Sequence, residues 1–346
     1  MRGWLKILSC GVLVVMGSAI FFVPLSNASR ADDKGKAIVK KNIELLQDKR
    51  HEHDATVALI SSKEKAIPYL EEVAKDPKEK LSQRLAVIDI IGDIKGPAAT
   101  DSLLENLKDS NAKIRRAAAR ALGKIRDKKA VEGLKEALTD FDRDVRYFAA
   151  RSLKEMKDPT LSDIFMKLLD DSDMRIKILA IDGLGDIKEE KAVSKLSSMV
   201  DDHVDDVRLS AAMALGKIGS RSTIPALNKL LEDRNNNVRR EALTALGEVG
   251  DPSSIPYLIK TAERDEKGLR YAATIALGNI GTSEVVPTLK RLMRDEAIDI
   301  RLAAIRSLVK IGSAEFVKDF EALLQDESMK VRREARIALE AIKKNK

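Results

Sequence analysis

The chain has 346 residues, of which 44% are hydrophobic, 34% charged and 3% aromatic. That apolar content can bury a core and excludes a disordered tail, while a single long apolar run excludes a multi-pass membrane protein. A formal charge of +7, from 62 basic and 55 acidic residues, is too even to mark a nucleic-acid binder by composition.

Residues 1–28 read as a secretory signal peptide. Arg2 and Lys6 give a positive start, Ile7 to Val23 carries no charge, Pro24 breaks any helix, and Ser26-Asn27-Ala28 offers small residues to a signal peptidase. Cleavage after Ala28 predicts a mature chain beginning at Ser29. The alternative is an uncleaved membrane anchor through residues 7–23, at the short end for a span. Either way the folded part is expected outside the cytoplasm, periplasmic or secreted. Cys10, the only cysteine, lies in the apolar run, so the mature chain holds no disulfide, thiolate metal site or cysteine nucleophile.

Residues 29–62 are expected to form a tail and a degenerate capping helix pair, with a repeat array over 63–346. Stepping by 31 residues returns one pattern without insertion. A basic column runs Arg84, Arg115, Arg146, Lys177, Arg208, Arg239, Arg270, Arg301, Arg332. Three residues on stands a small residue (Ala118, Ala149, Ala180 and equivalents), seven on a Leu or Ile (Leu122, Leu153, Leu184), and ten on an Ile, Val or Met (Ile125, Met156, Ile187). Offsets of 3, 7 and 10 share one helical face. A second amphipathic segment precedes each such helix, with the apolar column Leu103, Leu134, Phe165, Leu196, Leu227, Leu258, Leu289, Phe320. Turn aspartates follow it: Asp109, Asp140, Asp171, Asp202, Asp233, Asp295 and Asp326. Asn111, Asp142, Asp173, Asn235 and Ser328 are expected N-caps, and Pro225, Pro256 and Pro287 expected starts of first helices. Gly123, Gly185, Gly216, Gly247 and Gly278 are expected at C-caps. The fold expected is all-α, a right-handed α-α superhelical solenoid of stacked hairpins, continuous to the C-terminus, because a lone hairpin cannot bury its own face.

The recurring (Val/Ile)-Arg-x-x-Ala-x-x-x-Leu-Gly-x-Ile pattern, preceded by the turn aspartate, resembles the HEAT repeat in its short, phycobilisome-lyase-like form. The resemblance implies the solenoid fold and is nearly mute on function, since scaffolds, adaptors, bilin lyases and a metal-dependent hydroxylase share it. The hydroxylase branch holds two irons with repeated His-Glu pairs. Here that dipeptide occurs once, at His51-Glu52, and the other histidines are His53 and His203. His51, His53 and Asp54 read as a solvated turn, and no metal or cofactor is expected. An exported chain with few aromatics is a poor bilin lyase. No glycine-rich phosphate loop or nucleophile elbow occurs, and nothing nearby would desolvate Asp201-Asp202 or Asp205-Asp206 for acid/base work. No catalytic residue is assigned.

The basic column stands beside the turn aspartates, so a ladder of Asp–Arg pairs between successive repeats is expected, Arg208 and Arg239 included, in preference to phosphate binding. Nine scattered aromatics after the signal give no stacking platform, so no nucleic acid is expected. The outward stripe of each second helix lines the concave face of such solenoids. Early repeats place Arg116, Arg120 and Arg151 there; later ones place Ile178, Leu209, Met213, Tyr271, Ile275 and Leu302, with Tyr147 at the border. Those apolar residues suggest a protein-binding surface, the alternative being burial against adjacent repeats through tight curvature. The expectation is a monomeric, non-enzymatic scaffold whose partner is another protein, the alternative being an accessory subunit or lyase-like enzyme of the same repeat family.

Overall fold

The structure, a computed structural model, describes residues 12–16, 19–23, 30–264, 266–312 and 314–344. Within the apolar N-terminal run, β1 (Val12–Met16) and β2 (Ala19–Val23) pair antiparallel, Val12 opposite Val23 and Met16 opposite Ala19. Valine, isoleucine and phenylalanine favour a pleated strand, and residues 12–16 and 19–23 adopt that form. The basic start, Cys10, Pro24 and the expected cleavage site at Ala28 lie outside the described residues. No described helix is long and apolar enough to cross a membrane.

The rest is helical and divides into two compact units, residues 1–158 and 159–346. In unit 1, α1 (Arg30–Leu45) and α2 (Glu52–Ser61) precede three hairpins. These are α3 (Ile67–Lys75) with α4 (Leu81–Ile94), α5 (Thr100–Asn106) with α6 (Ala112–Ile125), and α7 (Val131–Ala137) with α8 (Arg143–Met156). Unit 2 holds six more: α9 (Ser162–Leu168) and α10 (Met174–Asp186), α11 (Val193–Ser198) and α12 (Asp205–Ile218), α13 (Ile224–Leu230) and α14 (Asn236–Val249), α15 (Ile255–Arg264) and α16 (Lys267–Ile280), α17 (Val286–Leu292) and α18 (Ile298–Ile311), α19 (Val317–Ala322) and α20 (Met329–Lys344).

Side chains start these helices. Asn111, Asp142, Asp173 and Asn235 each accept a backbone N–H two residues on, meeting a donor the first turn leaves open. Pro225 and Pro287 stand in the first turn of α13 and α17, where a missing N–H costs nothing. The core follows the sequence columns: Leu103, Leu134, Phe165, Leu196, Leu227, Leu258, Leu289 and Phe320 are buried, as are Ala118 to Ala335 of the small column.

The helix ends differ from expectation. Gly123, Gly185, Gly216, Gly247 and Gly278 are buried inside their helices, not at caps. A Cβ on Gly216 or Gly247 would lie within 2.9 Å of the Cα of Ala245 or Ala276. These glycines let consecutive second helices cross almost backbone to backbone. The caps fall three residues later, at Gly219, Gly250, Gly281 and Gly312, with φ of 67–73°. The same register position in the earlier repeats carries Lys95, Arg126, Lys157 and Lys188, all left-handed with φ of 50–59°. A side chain there costs roughly 1 kcal/mol against glycine, and a cation beside the helix C-terminus recovers part of it.

Candidate protein-binding surface

Most of the charge visible in the repeat pattern is spent between neighbouring repeats. Arg115 grips Asp140 with Nε and one terminal nitrogen at 2.7 and 2.8 Å, and Arg208 grips Asp233 at 2.6 and 2.9 Å. Arg84 meets Asp109 at 2.5 Å, Arg301 meets Asp326 at 2.9 Å, and Arg270 pairs with Asp295. The second terminal nitrogen often turns back to the carbonyl of its own repeat's aspartate, as from Arg208 to Asp202 at 2.7 Å. Each aspartate in turn accepts the N–H two residues on, as Asp233 does from Asn235 at 2.8 Å. The guanidinium of Arg208 and the N–H of Asn235 hold the Asp233 carboxyl below its usual range against the effect of burial. Asp205, bonded by Asn235, Arg208 and Arg234, is held down to about 2. Asp233 and Asp205 are thus held in the charged form by the groups that bond them.

Three positions depart from expectation: among the described residues Arg146 bonds only the Asp140 and Phe141 carbonyls, Lys177 meets no turn aspartate, and Arg239 lacks one to meet. The position that holds the turn aspartate in other repeats is Arg264, and among the described residues Arg239 reaches Glu266, at 3.8 Å, and the Asp233 carbonyl at 2.9 Å. Its Nε is buried without a partner. At the N-terminal end, His51 Nδ1 lies 3.0 Å from an Asp48 oxygen at the start of α2, and His53 is exposed. Among the described residues no cluster of histidine, cysteine and carboxylate is arranged to hold a metal.

The seven stripe residues are all accessible. In unit 1, Tyr147 is half-buried on α8 and meets the Phe148 ring edge-on, centroids 5.2 Å apart. In unit 2, Ile178, Leu209 and Leu302 are half-buried, while Met213, Tyr271 and Ile275 are 38%, 37% and 37% exposed. Tyr271 and Leu302 line a groove of about 460 Å³ with Gly268, Asp299 and Arg306. Gly268 opens it, since nothing lies within 4 Å of where its Cβ would be. Arg306 is fixed at the rim by Glu334, at 2.8 and 3.2 Å.

Residues 67–146, 131–216, 201–278 and 255–340 match the family of HEAT repeats. The chain belongs to that family. Among solved structures, an engineered protein is 20% identical, with a TM-score of 0.53 over 92% of this chain and 97% of its own. A chain from a structure of Kap95p with RanGDP is 12% identical, with a TM-score of 0.65 over 91% of this chain and 50% of its own, so this protein spans about half of it. Human deoxyhypusine hydroxylase is 20% identical over 72% of this chain and 96% of its own, with a TM-score of 0.35. For the engineered protein and the Kap95p chain the likeness is one of fold. No curated protein matched the sequence.

One member of this HEAT surface escapes the stripe pattern. Glu241 stands on α14 two residues after Arg239, a register that elsewhere carries Ala117, Phe148, Leu179, Ser210, Ala272 and Ala303. It is half-buried, and among the described residues nothing bonds to it. Burial, then the nearby charge of Glu248, pushes its carboxyl up. Glu334, the same position on α20, has Arg306 as partner 28 residues earlier. The residue 28 before Glu241 is Met213. An apolar side chain thus stands where the repeat geometry would place the counter-charge. The signal was present in the sequence as an acid, shared only with Glu334, in a column otherwise of small and apolar residues.

Proposed function

We propose that the protein is a non-enzymatic scaffold that acts outside the cytoplasm and holds a segment of another protein on the second-helix face of unit 2. The observation that carries this reading is the exposure of Met213, Tyr271 and Ile275 at fixed register, beside the Tyr271–Leu302 groove. A stacked array fixes such side chains before the partner arrives, so little ordering cost remains at binding. Glu241 adds a chemical preference: a segment with apolar side chains and one lysine or arginine would supply the cation that Met213 does not. The commitment of the turn carboxylates to arginine favours a scaffold over acid/base chemistry.

The test is capture from the native cell envelope with wild type and with a Leu209→Ser, Tyr271→Ser double variant. The double variant should lose the partner and keep its melting temperature within a few degrees, because accessible sites contribute little to stability. A large fall in melting temperature would make these residues core, and unchanged capture by a stable variant would move the binding surface elsewhere. Export rests on residues 1–28 and requires a native N-terminus at or near Ser29. An intact Met1 on membrane-bound protein would replace export with anchoring.

A further inference from the structure

Unit 1 carries a second, differently charged site on the same face of its helices. A cleft of about 540 Å³ between α6 and α8 is lined by Lys95, Arg120, Lys124, Arg126, Arg151 and Phe148, with Glu155 as its one acid. Three of the cations have partners: Arg120 with Asp89 at 2.5 Å, Lys124 with Asp93 at 2.6 Å, and Arg126 with Glu155 at 2.7 Å. Those pairs are solvent-exposed, so they are weak and exchangeable. Lys95 and Arg151 have no carboxylate partner among the described residues.

Two of the cleft's cations stand at left-handed helix caps, a position that Lys157 and Lys188 also fill outside the cleft. Lys95 and Arg126 hold the left-handed cap conformation that Gly219, Gly250, Gly281 and Gly312 supply without strain in later repeats. Capping alone does not call for a side chain at those positions. What the side chains add is a positive wall to the cleft. Charge across the chain is distributed accordingly: residues 30–158 hold 29 basic and 24 acidic residues, and residues 159–346 hold 31 of each.

We infer that the α6–α8 cleft binds an acidic peptide segment, whose adjacent carboxylates pair with Lys95 and Arg151 while an apolar neighbour packs on Phe148. The cleft is far larger than one small oxyanion. A polyphosphate chain needs a continuous positive track, and here Asp89, Asp93 and Glu155 break the track into separate cations. Discrete carboxylates spaced along a peptide suit that pattern.

The test is fluorescence anisotropy with a labelled Glu-Glu-Leu-Glu-Glu peptide, run beside an oligothymidylate and phosphatidylglycerol vesicles. The peptide should bind saturably and lose at least about tenfold in affinity with Lys95→Gly, Arg151→Gln. A control pair, Lys113→Gln, Arg143→Gln, removes the same charge from exposed positions outside the cleft and should stay within about threefold of wild type. Lys95→Gly alone meets a backbone suited to glycine, so it should melt no lower than wild type and still bind more weakly. Equal losses in both double variants would reduce the effect to diffuse charge. Absence of saturable binding, or tighter binding to oligonucleotide or vesicles, would overturn the inference.

Discussion

Glu241 and Glu334 occupy one register position with opposite fates, and the difference lies in a single residue of the preceding repeat. Glu334 has Arg306 within 2.8 Å; Glu241 has Met213 in the corresponding place. Because the folded state raises the Glu241 pKa, it binds that proton more tightly than the unfolded chain does. Its contribution is therefore most favourable in acid and is lost as pH rises through the raised value. Glu241→Gln should lift the melting temperature at neutral pH by about 2 °C or less, and leave it unchanged in acid. Met213→Arg should also raise it at neutral pH, by returning the Glu241 pKa to the ordinary range, and should block partner capture. Thermal melts across pH, with NMR titration of Glu241, check both. A Gln variant that is destabilised at neutral pH would mean that the carboxylate has a partner after all.

Among elements, the Arg–Asp rungs differ in depth, and their worth should follow. The side chains of Arg208 and Asp233 are 6% and 7% exposed, so Arg208→Ala strands a buried anion and should cost about 3 kcal/mol in denaturant unfolding. Arg239→Ala breaks a loose contact to an exposed glutamate and one bond to the Asp233 carbonyl, and should cost about 1 kcal/mol. Equal losses would show that the carbonyl bonds, not the carboxylates, carry the ladder. The hairpins, the buried columns, the N-caps and most of these rungs were legible because each is a matter of helical spacing or of charges placed in register. The two glycine columns were not told apart, because both lie near a helix end. Only the crossing of Gly247 on Ala276 shows that one column serves packing and the other, three residues on, serves the cap. Of the stripe, Met213, Tyr271 and Ile275 lie exposed while Tyr147, Ile178, Leu209 and Leu302 are half-buried. Glu241 was legible only as an acid in a column of small and apolar residues, and the cation cleft not at all, since it depends on which side chains of neighbouring helices lie opposite.

Across the whole molecule, the bonds that join repeats share a short reach along the chain. The Arg–Asp rungs link residues 25 apart, Arg234 and Asn235 reach Asp205 over 29 and 30, Arg120 reaches Asp89 over 31, and Ser152 reaches the Ala119 carbonyl over 33. None of these bonds ties one end of an array to the other. Sequence separation of this size is roughly a tenth of the chain, the regime in which contacts form fast and loop closure costs little. Each repeat can complete itself as soon as its successor is available, which suits a chain delivered N-terminus first. It also makes the length of the array adjustable. A second copy of residues 205–235 inserted after Asn235 brings its own Arg208–Asp233 rung and sets Gly216 against an Ala214, the same glycine–alanine crossing that Gly185 makes with Ala214. The lengthened protein should gain helical ellipticity in proportion and melt no lower than the parent, whereas a lower, broadened transition would reveal a link that spans more than one repeat.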